Sequence, residues 1–221
     1  REPGVRVAYV PIDDPLDDAD AVVLPGTKNA VDDLLAARDA GLGEALAGFD
    51  GPIVGVCGGF QLLGERLLNA NLEGTGDTVA ADDGADGPDD VIGGFGLLPV
   101  ETTFEPEKRV ERVRLLVEGR GPIEGATGPV SGYEIHHGES AATEPVDRPL
   151  GPNSACRGRV LGTYLHGLFE NDAIREAFVE AVFDAAERER PSATTLGPSP
   201  YEAAASLVRD GLDLDDIGWT D

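Results

Sequence analysis

Cys57 stands in PIVGVCGGFQLLG (52–64), where a run of branched apolar residues delivers one thiol into a turn with Gly55 before it and Gly58 and Gly59 after it. A nucleophile at the end of a buried strand needs this composition. The turn is strained, and neighbours without side chains let the backbone bend and let a substrate carbonyl come close. A helix starting at the sulfur offers free N–H groups and the positive end of its dipole, which favour the reactive thiolate. The Gly58 N–H is then placed to donate to a developing oxyanion. A second donor is expected from the turn after another strand, and LPGTK (24–28) offers the N–H of Gly26 or Thr27. An isolated cysteine is more often a small buried residue, but glycines on both sides of a strand-to-helix transition favour a nucleophile. Cys156, in the polar segment PNSACRGR, has no such context and is read as structural or incidental.

A thiol nucleophile needs a base, and a leaving amine needs an acid. One imidazole does both because it titrates near neutrality. His166 in GTYLHGLFEND (162–172) ends a strand-like run, with Gly167 freeing the backbone before a helix. His136 and His137 in GYEIHHG lie on a strand whose alternation turns one inward and one outward; both are taken as site-lining rather than as the base. The cysteines and histidines carry no CxxC or HxxxH spacing, so no metal site is expected.

Three strands must deliver these groups. AVVLPG (21–26), PIVGV (52–56) and RVLGTYLH (159–166) read as buried strands, as does VRVAYVPI (5–12). Apolar spacing predicts one kinked or two short helices over 29–47, broken at Gly41, a helix over 58–68 using Leu62, Leu63, Leu67 and Leu68, and a long helix capped by Asn171 or Asp172 and stopped by Pro191. LLPVETTF (97–104), RVERVRLLVE (109–118) and SGYEIHH (131–137) are strand-like and expected in the later part of the same sheet. Residues 69–90, rich in Gly, Asp and Asn and containing GTGDTVAADDGADGPDD, read as an exposed loop, SATTLGPSP (192–200) as a linker, and 201–212 as a short terminal helix. The alternation predicts an α/β fold: an open, mostly parallel sheet with helices on both faces, whose sites form at the carboxyl ends of strands. Gly26, Cys57 and His166 each follow such an end, so they should gather at one edge.

Composition bounds the partners. Asp and Glu number 42 against 17 Lys and Arg, a formal net charge of −25, which repels nucleic acid. The acids are spread between elements and along helix faces, an arrangement that self-repels at low salt and is relieved when concentrated salt screens it, so a salt-loving cytoplasm is expected. No apolar run approaches the ~20 residues of a membrane span, and no signal peptide is evident. The chain begins with Arg and contains no Met, so it is expected to be a processed product or, the favoured reading, a piece of a longer protein.

LPGTKNAVDDL, GVCGGFQLLG, FGLLPVETTF, GYEIHHGES and GTYLHGLFEND, in this order, resemble the glutamine amidotransferase half of the cobyric acid synthases, enzymes of cobalamin biosynthesis. The likeness covers nearly the whole chain, including the tail SPYEAAASLVRDGLDLDDI. It implies a flavodoxin-like class I amidotransferase fold over 1–190, a linker and helical tail over 191–221, and a separate N-terminal ATP-using synthase domain that this chain does not include. It further implies that Cys57 attacks the carboxamide of glutamine to give a γ-glutamyl thioester and ammonia, that His166 carries the protons, and that Gln61 helps hold glutamine. The N-terminal domain would use the ammonia to amidate adenosylcobyrinic acid a,c-diamide. ATP and Mg²⁺ would belong to that complete enzyme, with no cofactor in this chain, which has no GxxxxGK[ST] loop. Many triad amidotransferases place a glutamate two residues after the histidine, where this chain has Leu168; Glu134 and Glu170 are the weak candidates to orient His166, and a Cys-His dyad is the alternative. The competing resemblance is to a glutaminase subunit that amidates a cell-wall lipid precursor, and the non-enzyme reading is a docking module with an idle Cys57.

Overall fold

The computed structural model describes residues 2–73, 90–191 and 200–211. The chain divides into two compact units, one of residues 9–188 and one of residues 1–8 with 189–221. In the smaller unit the described residues include a helix, Pro200–Gly211, near the predicted tail helix, and an ion pair between Arg190 and Glu2 at 2.9 Å. Most of the predicted loop (74–89) and linker (192–199) lies outside the described residues.

The larger unit holds two sheets. In the first, β1 (Val22–Leu24), β2 (Ile53–Val56) and β8 (Val160–Thr163) run parallel, and β7 (Ser154–Arg157) closes the edge antiparallel to β8, in the order β1-β2-β8-β7. Alternation along β2 sends Ile53 to one face, where it packs with Leu46 of α2 (Leu42–Ala47) and with Phe60 and Leu63 of α3 (Gly58–Leu63). Val54 goes to the other, against Leu161, Leu165 and Ile174 of α4 (Asp172–Ala185). Burying such a side chain fully contributes about 1.5–3 kcal/mol, which is why a strand this apolar sits between two helical layers. The predicted α/β architecture, with helices on both faces, holds for this sheet.

The later strands form a second sheet instead of joining the first. Its order is β4-β3-β5-β6, from β3 (Arg66–Leu68), β4 (Val91–Gly93), β5 (Val100–Glu118) and β6 (Thr127–Ala142), with only β3 and β5 parallel. The reason is visible in β5 and β6, where buried and exposed positions alternate as in a one-sided antiparallel hairpin. β5 spans both runs predicted separately, with an irregularity between Phe104 and Arg109.

Helical spacing over 29–47 gives α1 (Ala30–Asp39) and α2, separated at Gly41, whose φ of 78° a side chain would resist. The helix predicted over 58–68 stops at Leu63, because Gly64 turns extended and Leu67, fully buried, pairs in β3 instead. Leucines four apart suit either element, and the ladder decided. Residues 5–12 join no sheet, leaving Val7 78% and Tyr9 99% exposed. Branched residues supply strand propensity but no ladder partner, and without one no strand forms.

Candidate active site

Cys57 follows β2 directly, and its N–H extends the ladder by donating to Thr163 O at 2.9 Å. Its φ of 54° and ψ of −115° place a non-glycine residue in sparsely populated backbone space, a strain of order 1–3 kcal/mol held by the strand behind and α3 ahead. The turn after β1 lies over this elbow: Pro25 O accepts from the Gly59 N–H at 3.1 Å, and a Cβ on Gly58 would stand 2.5 Å from Thr27 Cγ2 and 2.9 Å from Thr27 N. Glycine at 58 is therefore what lets the two turns touch. The Gly58 N–H faces the Cys57 sulfur, and the Thr27 backbone abuts the Cα of Gly58.

The thiol is 9% exposed and donates to Ile135 O at 3.3 Å. Burial pushes its pKa above the ordinary value; the Gly58 N–H opposes this, the negative charge of Glu73 adds to it, and Lys108 opposes it. Burial thus opposes formation of the thiolate.

His166 lies just beyond β8, tied to β6 by a pair of main-chain hydrogen bonds with Tyr133, 2.8 Å from its N–H and 3.4 Å to its carbonyl. The two rings stack with centroids 4.9 Å apart and planes 3° from parallel. Burial pushes the imidazole pKa below its ordinary value, while the hydrogen-bonding Ile135 carbonyl opposes this; His136 lowers it further and Glu134 raises it. Its Nε2 is buried and has no hydrogen-bond partner among the described residues. One main-chain carbonyl, Ile135 O, therefore faces both thiol and imidazole. A Cβ placed on Gly26 would lie 3.4 Å from Cys57 Cβ and 3.5 Å from His166 Cε1, so the ends of β1, β2 and β8 converge on one small space.

Gln61 and His136 lie under this space in a buried polar network. Gln61 Nε2 donates to Tyr164 Oη at 3.1 Å, the tyrosine hydroxyl shares a hydrogen bond with Ser140 at 2.8 Å, and Ser140 shares another with Thr102 at 2.7 Å. His136 stacks on Tyr164, its Nδ1 2.5 Å from Gly138 O and its Nε2 3.8 Å from Glu134. His137 is exposed, so β6 does turn one imidazole inward and one outward. Of the two acids considered for orienting His166, Glu134 is buried and held by Asn153 at 2.6 Å, and Glu170 is exposed beside Gly167. Sequence reasoning missed Tyr133 and the Ile135 carbonyl, although period-two alternation through GYEIHHG puts residues 133 and 135 on one face. It also missed Tyr164 as the hub of the network, and Glu73, which sat in a segment read as loop. Cys156 is buried in β7 with its pKa pushed up to about 12, first by burial and then by the charges of Asp147 and Glu124, an inert thiol.

The family described as the CobB/CobQ-like glutamine amidotransferase domain matches residues 1–174. Over 219 residues the chain is 58% identical to "Probable cobyric acid synthase" of Halobacterium salinarum, covering 99% of this chain and 41% of that protein. It is 36% identical to the protein of the same name from Methanococcoides burtonii, covering 96% and 41%, and 38% identical to "Cobyric acid synthase" of Frankia casuarinae, covering 96% and 38%. The chain thus spans about two-fifths of the length of these relatives. A solved glutamine amidotransferase covers 76% of this chain and 81% of its own, at 18% identity and a TM-score of 0.49.

Proposed function

This chain belongs to the CobB/CobQ-like glutamine amidotransferase family, and from that premise we propose that it hydrolyses glutamine through a thioester on Cys57, with His166 carrying the protons. The observation that supports this most is the space beside Gly26, bounded by Cys57 on one side and His166 on the other. A substrate carboxamide there would meet the nucleophile, the base and two amide donors together.

The chemistry follows from the resting charges. Burial disfavours charge on both the thiol and the imidazole, and in the proposed step His166 takes the thiol proton as sulfur attacks the carboxamide carbon. The carbonyl π electrons move onto oxygen, and the N–H groups of Gly58 and of Thr27 or Gly26 receive the oxyanion. Collapse restores the carbonyl and breaks the C–N bond, with the imidazolium giving its proton to the departing nitrogen, so ammonia leaves and a γ-glutamyl thioester remains. Water, deprotonated by His166, attacks the thioester and releases glutamate and the thiol. Gln61, His136 and His137 are the proposed substrate-binding residues, with Gln61 and His136 shaping the floor and His137 the rim.

In the complete polypeptide, an N-terminal domain would use ATP, with Mg²⁺, to activate carboxylates of adenosylcobyrinic acid a,c-diamide, and the ammonia made here would amidate them. The greater length of the named cobyric acid synthases supports that arrangement. The test is glutamine-dependent amidation of the corrinoid by the complete protein, in wild type and in Cys57→Ala. The proposal expects glutamine-driven product to vanish in the variant while added ammonia still supports it. Persistence of glutamine-driven product in Cys57→Ala would overturn it.

A further inference from the structure

Glu73 has no part in the mechanism above, yet its charge reaches the nucleophile. It closes the short turn Ala70–Leu72, its N–H donating to Ala70 O at 3.2 Å. Its Oε1 accepts from the N–H of Ala30 at 3.3 Å, which holds the carboxylate at the first residue of α1, three residues after Thr27. Because Thr27 abuts Gly58, the carboxylate stands at the rim of the turn that covers the elbow. Burial pushes the Glu73 carboxyl above its ordinary value; the Ala30 N–H and His137 oppose this, and Asp33 on α1 adds to it.

An anion in this place is costly for a cysteine enzyme, since it opposes formation of the thiolate. Its presence is explained by what it receives. Resting on the glutaminase reading, we propose that Glu73 binds the α-ammonium group of the substrate glutamine. The carboxamide carbon of glutamine is two methylenes from the α-carbon, so a molecule with that carbon at Cys57 brings its ammonium to the rim. Glu73 therefore does two things. It selects free glutamine over a neutral amide or a glutaminyl peptide, and once paired it ceases to hold the thiol in its protonated form.

The test is labelling of Cys57 in the complete protein by two electrophiles with the same warhead, 6-diazo-5-oxo-L-norleucine and its N-acetyl derivative, followed by mass spectrometry. Only the first carries the ammonium. Wild type should react faster with the charged probe, and Glu73→Gln should slow that reaction about 10- to 100-fold, the range for losing a hydrogen bond between charged groups, while the N-acetyl probe changes little. Glu73→Asp should recover part of the preference. The inference is overturned if wild type shows no preference, if Glu73→Gln keeps it, or if Glu73→Gln slows both probes equally, which marks a purely structural carboxylate. If neither probe labels Cys57 in wild type, the glutaminase reading fails first and takes this inference with it.

Discussion

Gly26→Ala separates the reactive space from the fold around it. The added Cβ would sit 3.4 Å from Cys57 Cβ, 3.5 Å from His166 Cε1 and 3.8 Å from Val56 O, ordinary contact distances on all sides. Gly26 does not have a positive φ, so alanine adds no backbone strain, and the stability change should stay within about 0.5 kcal/mol. The methyl group, however, fills the gap that a substrate carbonyl must enter. Displacing a reacting atom by about 1 Å from a near-attack position costs on the order of 100-fold, or about 2.7 kcal/mol of barrier. Gly58→Ala is the counterpart, because its Cβ at 2.5 Å from Thr27 Cγ2 forces the two turns apart and should cost about 1–3 kcal/mol of stability. The assay pairs urea unfolding with the rate at which 6-diazo-5-oxo-L-norleucine labels Cys57. The reasoning predicts a folded, slow Gly26→Ala and a destabilised Gly58→Ala. A folded Gly26→Ala that labels at the wild-type rate would refute it, since the carbonyl would then enter elsewhere.

Other consequences can be measured alongside. His166→Ala should slow Cys57 labelling about 10²- to 10⁴-fold, the usual worth of a positioned base, with circular dichroism unchanged. Burial holds the His166 pKa down, and its neutral form is the base, so labelling should persist below the ordinary imidazole value of about 6.5 and fail only at lower pH; an acid limb centred above that value contradicts the assignment. The same depression means that folding stability declines as pH drops below about 6.5, because the unfolded imidazole takes a proton more readily. Tyr164→Phe strips a partner from both Gln61 and Ser140, so chemical unfolding should show a loss of about 1–3 kcal/mol. With a formal net charge of −25, the thermal midpoint should rise as KCl goes from about 0.1 M to about 1 M and the screening length shrinks from about 10 Å to about 3 Å; an unchanged midpoint would remove the salt-loving reading.

The gathering of Gly26, Cys57 and His166 was legible where it depended on side-chain type and glycine placement. Glycine on both sides of Cys57, the Pro-Gly turn after β1 and a histidine after β8 were enough to anticipate that three strand ends converge. The group facing both Cys57 and His166 was hidden, because Ile135 acts through its carbonyl, which every residue carries. Tyr133 was hidden for a related reason: its ring meets His166 through a bridge between β6 and the end of β8, a pairing no local pattern announces. The second sheet was missed because strand-like runs were assumed to extend the first, although the alternation of β5 and β6 marks an antiparallel hairpin with one wet face. Leu67 was assigned to a helix because its spacing from Leu63 fits one, and only the extended Gly64 and the pairing with Ile92 take it into β3. Glu73 lay in a stretch whose glycine and acid content reads as solvated loop, and its role depends on Ala30, 43 residues away.

The most direct test is to mix the complete protein with glutamine, ATP and corrinoid, quench in acid, digest, and weigh the cysteine peptides. A glutamyl group should appear as a thioester on the peptide carrying Cys57, and none on the peptide carrying Cys156. Acylation at Cys156, or turnover of glutamine with no acylated Cys57 at any quench time and an undiminished rate in Cys57→Ala, would contradict the account.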